Sequence, residues 1–292
     1  MDIHLVDGTY ELFRYHFALP GHTRADGLEV GAVRGVLSSM LSMIEEGATH
    51  VGVATDHVIP SFRNELYEGY KDGSEIDPEI EGQFQLLEDV LEAAGFTVWP
   101  MVEYEADDAL GSAAVQAAAD PRVKRAIICT PDKDLSQCVT PDGRIVQFDR
   151  RKRIWYDRDG VIDKFGVPPE SIPDYLGLVG DTADGFPGLK GWGAKSSATV
   201  LARWGHIENI PRNQADWDVN VRGAAKLAQT LRDNLAEALL FRRIATIEPE
   251  AIELDDVESL RWTGPSANVA DVLATADALG QLDRINSLSA SR

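Results

Sequence analysis

At 292 residues, 44% of them hydrophobic, the chain is long enough for one large domain or two modest ones with a sizeable core. Its formal charge of -20 argues, taken alone, against a binder of phosphate backbones, and no apolar run approaches the roughly 18 residues of a membrane span. The start, MDIHLVDGTY, does not look like a secretory signal, and Cys129 and Cys138 lie outside any CxxC motif, so a soluble cytoplasmic protein without a disulfide framework or thiolate zinc site is expected.

Along the chain, residues 3–8, 49–56, 96–101, 125–132 and 144–149 read as short β-rich runs, most of them bounded by turn or charged residues. Helical spacing of apolar residues spans 30–46, 79–94 and 106–119. This alternation predicts βαβ units and an α/β fold with a mainly parallel, twisted sheet and flanking helices, over residues 1–160. From about Val161 the texture changes. Residues 167–181, 194–205, 221–234 and 235–247 all read as helices, so an all-helical module is expected over 161–247. The tail, 248–292, offers one more helix at 270–285, expected to pack back on the first domain.

The acidic residues fall at particular places on this frame. Asp7 and Asp56 end the first two strands, and Asp132 and Asp134 follow the fourth, which puts them at the rim where open α/β sheets bind ligands. Glu105 and Asp108 begin the helix at 106 and share a face near the positive end of its dipole, with Asp107 about a quarter turn away. Asp181 and Asp184 repeat the three-residue spacing in the helical module. A solvated surface acid is the alternative at any single position, but nine carboxylates meeting at one edge without cations would repel and raise each other's pKa. Divalent metal resolves that conflict. Oxygen-only ligands favour magnesium or manganese, and the six histidines show no HxH or HExxH spacing that would suggest zinc. A cluster this large suits two ions, the apparatus of phosphodiester hydrolysis.

LVDGTYELFR (5–14), FRNELYEGYK (62–71), YEADDALG (104–111), TPDKDLSQCV (130–139) and KFGVPPESIPDYLGLVGDTADGFPGLKGWGAKSSATVL (164–201) resemble, in order and spacing, the 5′-nuclease family. That family contains flap endonucleases and the 5′-3′ exonuclease domain of bacterial DNA polymerase I. The resemblance runs from Ile3 to about Ile247. It implies a PIN-like catalytic domain at 1–160, with an arch at about 60–85, followed by a helix-three-turn-helix module that grips duplex DNA. It assigns Asp7, Asp56, Glu105 and Asp107 to one Mg2+ or Mn2+ ion and Asp132, Asp134, Asp181 and Asp184 to a second, with Asp108 in the same cluster. Arg63 and Lys71 would grip the scissile phosphate. Tyr10, Phe13, Tyr67 and Tyr70 are candidates to stack on a base near the cleavage site, with core packing the alternative for at least two of them, and Arg14 is a further candidate contact to the nucleic acid.

The stretch PGLKGWGAKSSA (187–198) has glycines that let backbone approach a ligand closely, then opens a helix whose free N–H groups suit a phosphate. By the resemblance, Gly188, Lys190, Gly191, Gly193, Lys195 and Ser196 would hold the DNA backbone, with K+ on the loop carbonyls. Lys190, Lys195 and Arg203 give residues 186–204 a charge of +3, so the proposed contact surface is locally basic within an acidic protein. The run 150–153, RRKR, adds four cations.

Some positions depart from the family pattern. Residues 62–81 hold two basic and seven acidic side chains, unlike a strand-grasping arch. Pro131 stands where Gly is usual, Gly185 where Asn is usual, and Glu103 where Gly is common. The expected protein is a stand-alone, monomeric 5′-3′ exonuclease and 5′ flap endonuclease, with DNA bearing 5′ ends or flaps as partner and neither membrane nor fused polymerase. The alternatives are a non-catalytic binder of branched DNA and a PIN-like ribonuclease.

Overall fold

The computed structural model describes residues 1–291. In chain order the elements are β1 (Asp2–Asp7), α1 (Gly8–Ala18), α2 (Gly31–Glu45), β2 (His50–Asp56), α3 (Arg63–Leu66), α4 (Pro78–Glu81), α5 (Phe84–Ala93), β3 (Thr97–Met101), α6 (Ala106–Ala119) and β4 (Arg125–Cys129). Then follow β5 (Ile145–Asp149), β6 (Ile154–Tyr156), α7 (Arg158–Phe165), α8 (Ile172–Val179), α9 (Ala194–Trp204), α10 (Ala224–Asp233), α11 (Leu235–Ala245), α12 (Val269–Thr275) and α13 (Leu282–Ala290). The chain forms two compact units, one of Met1–Ile59, Gly73–Thr130 and Glu248–Arg292, the other of Pro60–Asp72 and Pro131–Ile247. Among the described residues no helix is long and apolar enough to cross a membrane.

The first unit is built on four parallel strands in the order β3-β2-β1-β4. Leu5, Val6, Val53 and Ile128 are fully buried, as central parallel strands covered on both faces require. Each such side chain contributes about 1.5–3 kcal/mol relative to exposure. Pro100, which has no N–H for a ladder, sits in the edge strand β3. Helix α6 packs across β1, β2 and β4, and its fully buried Ala109, Ala113 and Ala117 let it lie close to the sheet. Gly8 is needed where α1 leaves the sheet, because a Cβ there would stand 2.9 Å from the Ala54 carbonyl oxygen. In the tail, α12 packs on α5 and α13 on α2, while Trp262 Nε1 donates to the Ala94 carbonyl at 2.9 Å and Arg284 pairs with Glu45 at 2.7 Å.

The second unit is helical apart from an antiparallel hairpin of β5 and β6. Helix α8 packs along α11, and Gly177 permits it, since a Cβ there would meet the Ala238 carbonyl at 2.9 Å. Phe186 and Phe241 stack at 5.6 Å in the core, with Trp192, Trp204 and Trp217 forming a second aromatic group.

Three details differ from the sequence reading. The helix expected over 79–94 is two, α4 and α5, because the fully buried Gln83 spends its amide on the backbone: Nε2 donates to the Glu79 carbonyl at 2.8 Å and Oε1 accepts from the Val33 N–H at 3.3 Å. The helix expected over 270–285 also divides, at Asp277, whose φ of 49° is left-handed. Helices α1, α3 and α7 and strand β6 were not anticipated.

Candidate metal centre

In the first unit the acids follow strand ends and helix starts. Asp7 closes β1 and caps α1, accepting from the Tyr10 N–H at 2.8 Å and from the Thr130 hydroxyl at 3.0 Å. Asp56 closes β2; its N–H donates to Thr9 Oγ1 at 2.8 Å and its Oδ1 accepts from the Ala106 N–H at 2.8 Å, at the start of α6. The register sets Asp7 opposite Ala54 and Asp56 opposite Met101, so both stand at the carboxyl edge of adjacent parallel strands. Glu105, buried, is the N-cap of α6, and the half-buried Asp107 lies in its first turn. Asp108 is used differently. Fully buried, it accepts from the Glu105 N–H at 3.0 Å through Oδ2 and from the Glu248 N–H at 2.9 Å through Oδ1. Both oxygens therefore hold backbone, a positioning role for the acids beside it.

In the second unit three carboxylates converge. One oxygen each of Asp134, Asp181 and Asp184 lies within 4.8 Å of the other two. Asp134 opens a 3-10 turn at Asp134–Cys138, its N–H donating to Asp132 Oδ1 at 3.0 Å. Asp181 and Phe186 exchange backbone hydrogen bonds of 2.8 and 3.0 Å, which closes the loop that carries Asp184. Gly185 makes this loop possible, with a φ of 84° and room for no Cβ, which would lie 2.2 Å from the Gly69 carbonyl oxygen. Glycine at 185, where Asn is usual, is thus fitted to this backbone.

Two lysines partner these acids. Lys133 reaches Asp181 Oδ2 directly and stands 3.6 Å from Asp134 Oδ1; Lys71 Nζ is 3.0 Å from Asp184 Oδ1. Burial pushes the Asp134 carboxyl well above its ordinary pKa, and repulsion from Asp132 and Asp184 adds to it, with Lys133 only partly opposing. For Lys133, burial works against the charge, but Asp134, Asp181 and Asp132 outweigh it and raise its pKa. The donor set fits a hard divalent cation. It is all oxygen, and buried Asp134 Oδ1 has no hydrogen-bond partner among the described residues.

The other expected site residues divide. Arg63 is 3% exposed and spends its guanidinium on the carbonyls of Ile244 (2.7 Å) and Thr246 (3.2 Å). Tyr67, half-buried, packs edge-on against Phe241 at 5.4 Å, on the margin of the second unit's core. Tyr10 is half-buried at the start of α1, and Arg14 pairs with Glu11 and lies 4.0 Å over the Tyr15 ring. Sequence reasoning missed Lys133, Thr9 and Thr130. A lysine between two acids, Asp132 and Asp134, was the available signal for the first.

The loop from α8 to α9 is held by its glycines. Gly188 has a φ of 66°, and a Cβ on it would meet the Gly180 nitrogen at 2.3 Å. Gly191 has a φ of 90°, and Gly193 is the N-cap of α9, its N–H donating to Ser196 Oγ at 3.1 Å. Lys190 and Lys195 are exposed and take part in no ion pair among the described residues, whereas Arg203 is paired with Asp218 at 2.8 Å.

Comparison with known proteins agrees with this geometry. The N-terminal resolvase-like domain of the 5′-3′ exonuclease family matches residues 2–166, and that family's C-terminal SAM fold matches 167–268. A 5′-3′ exonuclease of Aquifex aeolicus is 32% identical over 214 residues, 72% of each chain. DNA polymerase I of Bacillus caldotenax is 34% identical over 263 residues, which are 87% of this chain and 29% of that protein, so the chain spans less than a third of that relative. In fold it is similar to the phage T5 5′-exonuclease solved with divalent zinc (TM-score 0.66, 18% identity, covering 100% and 98% of the two chains). It is also similar to the T5 D15 flap endonuclease in a pseudo-enzyme-product complex with DNA and metal ions (TM-score 0.62, 20% identity, covering 100% and 97%). The chain belongs to the 5′-3′ exonuclease family, whose members are DNA-hydrolysing nucleases.

Proposed function

We propose that this protein is a divalent-metal-dependent 5′-3′ exonuclease and structure-specific 5′ flap endonuclease acting on DNA. The observation that carries the reading is the convergence of Asp134, Asp181 and Asp184 around a buried carboxylate oxygen, Asp134 Oδ1, that has no hydrogen-bond partner among the described residues. Asp132, Asp134, Asp181 and Asp184 would hold one Mg2+ or Mn2+ ion, and Asp7, Asp56, Glu105 and Asp107 a second. When bound, such ions lower the pKa of a water and neutralise the charge that develops on the phosphate in line displacement.

The chain's own residues do the rest. Asp108 fixes the start of α6 through two backbone N–H groups, and Thr9 and Thr130 orient the strand-end acids. Lys133 and Lys71 balance the charge of Asp181 and Asp184; a cation held by those carboxylates would take over that task and leave the Lys71 ammonium to face the phosphate. Arg63 acts at a remove, by holding the backbone of 244–246. The loop 187–193 and the start of α9, with Lys190, Lys195 and Ser196, would grip a duplex backbone without reading bases, with K+ on the loop carbonyls. In this reading residues 1–160 are catalytic, 161–247 bind DNA, 248–292 support the catalytic domain, and the protein works in the cytoplasm as a monomer.

The test is cleavage of a 5′-labelled flap on duplex DNA and of the matching blunt duplex, with Mg2+ or Mn2+ against EDTA, beside Asp134→Ala. Metal-dependent product that disappears in the variant establishes the nuclease, and product length separates one-nucleotide trimming from flap excision. Duplex binding with no cut under either metal would make it a non-catalytic binder. Cleavage of RNA alone would move it to the ribonuclease reading.

A further inference from the structure

A second group of metal-ligating side chains lies in the first unit, apart from every residue assigned above. His16 is in the last turn of α1; Asp77 is the N-cap of α4, accepting from the Glu79 N–H at 2.9 Å through Oδ1; Glu79 is in the first turn of α4. One ligand atom of each lies within 4.8 Å of the other two. We propose that His16, Asp77 and Glu79 bind a divalent transition ion, Zn2+ or Mn2+, independently of the nuclease reading.

Three observations carry this. First, the set is mixed. One imidazole nitrogen with two carboxylate oxygens favours Zn2+ or Mn2+ over the Mg2+ that an all-oxygen set takes. Second, the three groups face one another without satisfying one another: among the described residues His16 forms no ion pair with either acid, and neither acid pairs with a lysine or arginine. A shared cation satisfies all three. Third, His16 and Glu79 line a cavity of about 170 Å³, together with Tyr15, Gly21, Glu29 and Gly31, which leaves room for waters to complete the coordination sphere. The Phe17 ring lies edge-on to His16, with centroids 5.1 Å apart.

The site gives a use to the acidic stretch DGSEIDPEIE (72–81), which reads poorly as a strand-grasping arch. An ion there ties the start of α4 to the end of α1 and holds residues 73–81 in place. Because Asp77 and Glu79 are exposed, the ion exchanges readily and binds more weakly than one in a closed structural site.

The experiment uses the full chain. Mn2+ bound per chain is measured by equilibrium dialysis for the wild type, His16→Gln and Glu79→Gln, and crystals soaked in Mn2+ are examined for anomalous density. The expected result is one ion fewer in each variant and an anomalous peak between His16, Asp77 and Glu79 that His16→Gln abolishes. Zn2+ should also slow proteolysis within 73–81 in the wild type and not in His16→Gln. Melting in EDTA checks that both variants fold. Equal stoichiometry in all three proteins, with no anomalous density at His16, overturns the proposal. Loss of cleavage in Asp134→Ala leaves this result untouched, so the two readings fail separately.

Discussion

Lys71 holds Asp184 twice: its Nζ lies 3.0 Å from Oδ1, and its backbone N–H donates to the Asp184 carbonyl at 3.0 Å. Asn64 Nδ2 donates to the Lys71 carbonyl at 3.0 Å, so the lysine is fixed from both sides of its backbone. Its side chain is 34% exposed, and an ion pair in that setting contributes little to stability, about 1 kcal/mol or less. Lys71→Ala should therefore melt near the wild type yet lose roughly a hundredfold in single-turnover cleavage, the order expected for removing one electrostatic donor from a reacting phosphate. An unchanged cleavage rate would confine Lys71 to holding the loop 181–186.

Arg63 should behave in the opposite way. Its buried guanidinium is hydrogen-bonded to the carbonyls of Ile244 and Thr246, and truncation would leave buried acceptors unpaired. Loss of such a network costs about 2–4 kcal/mol, so urea denaturation of Arg63→Ala should show a clearly lowered midpoint. Activity should fall with the folded fraction and recover when the assay is cooled. A stable Arg63→Ala that is nonetheless inactive would put the guanidinium in the chemistry.

Asp134 links metal, pH and stability. Burial and its acidic neighbours raise its folded pKa above the ordinary 3.8, so between those two values the folded state holds a proton that the unfolded state has lost. Stability of the metal-free protein should accordingly fall as pH rises from near 4 through the raised value. Asp134→Asn removes that burden and should melt higher than the wild type in EDTA at pH 7. With cation the order reverses: at about a hundred times its Kd an ion adds roughly 2.7 kcal/mol to the wild type, and the variant should gain markedly less. Calorimetry in EDTA and in Mg2+ measures both effects.

What the sequence made legible follows from where local chemistry decides the outcome. The bounds of α6 could be read directly, because Glu105 and Asp108 mark its start and the apolar spacing runs unbroken to Ala119. Asp7 and Asp56 were placed correctly at strand ends, since a β-rich run closing in an acid needs little tertiary context. Helix α1 was not, because its Glu11 is buried and paired with Arg14, which breaks the apolar stripe that periodicity detects. The division between α4 and α5 depends on Gln83 meeting Val33, fifty residues away, which no local pattern carries. The same limit applies within the site. The acids could be counted, but that Asp108 turns to backbone, and that Lys133 and Lys71 neutralise Asp181 and Asp184, depends on contacts fixed only by the fold.

Lys190 and Lys195 test how the second unit meets DNA. Both are exposed and free of ion pairs among the described residues, so replacing them should leave folding unchanged, whereas Arg203 is tied to Asp218 and would confound the measurement. Each lysine that neutralises a phosphate releases about 0.9 of a counterion, so the slope of log K against log salt should flatten by roughly 1.8 in Lys190→Ala/Lys195→Ala. The loss should be the same for duplexes of unrelated sequence, because backbone contacts position and do not specify. Fluorescence anisotropy in Ca2+, across a salt series and with two unrelated duplexes, gives both readouts. A flattened slope for both duplexes assigns the two lysines to the phosphate backbone. An unchanged slope removes the loop between α8 and α9 from the DNA surface and leaves the basic run 150–153 as the next segment to examine.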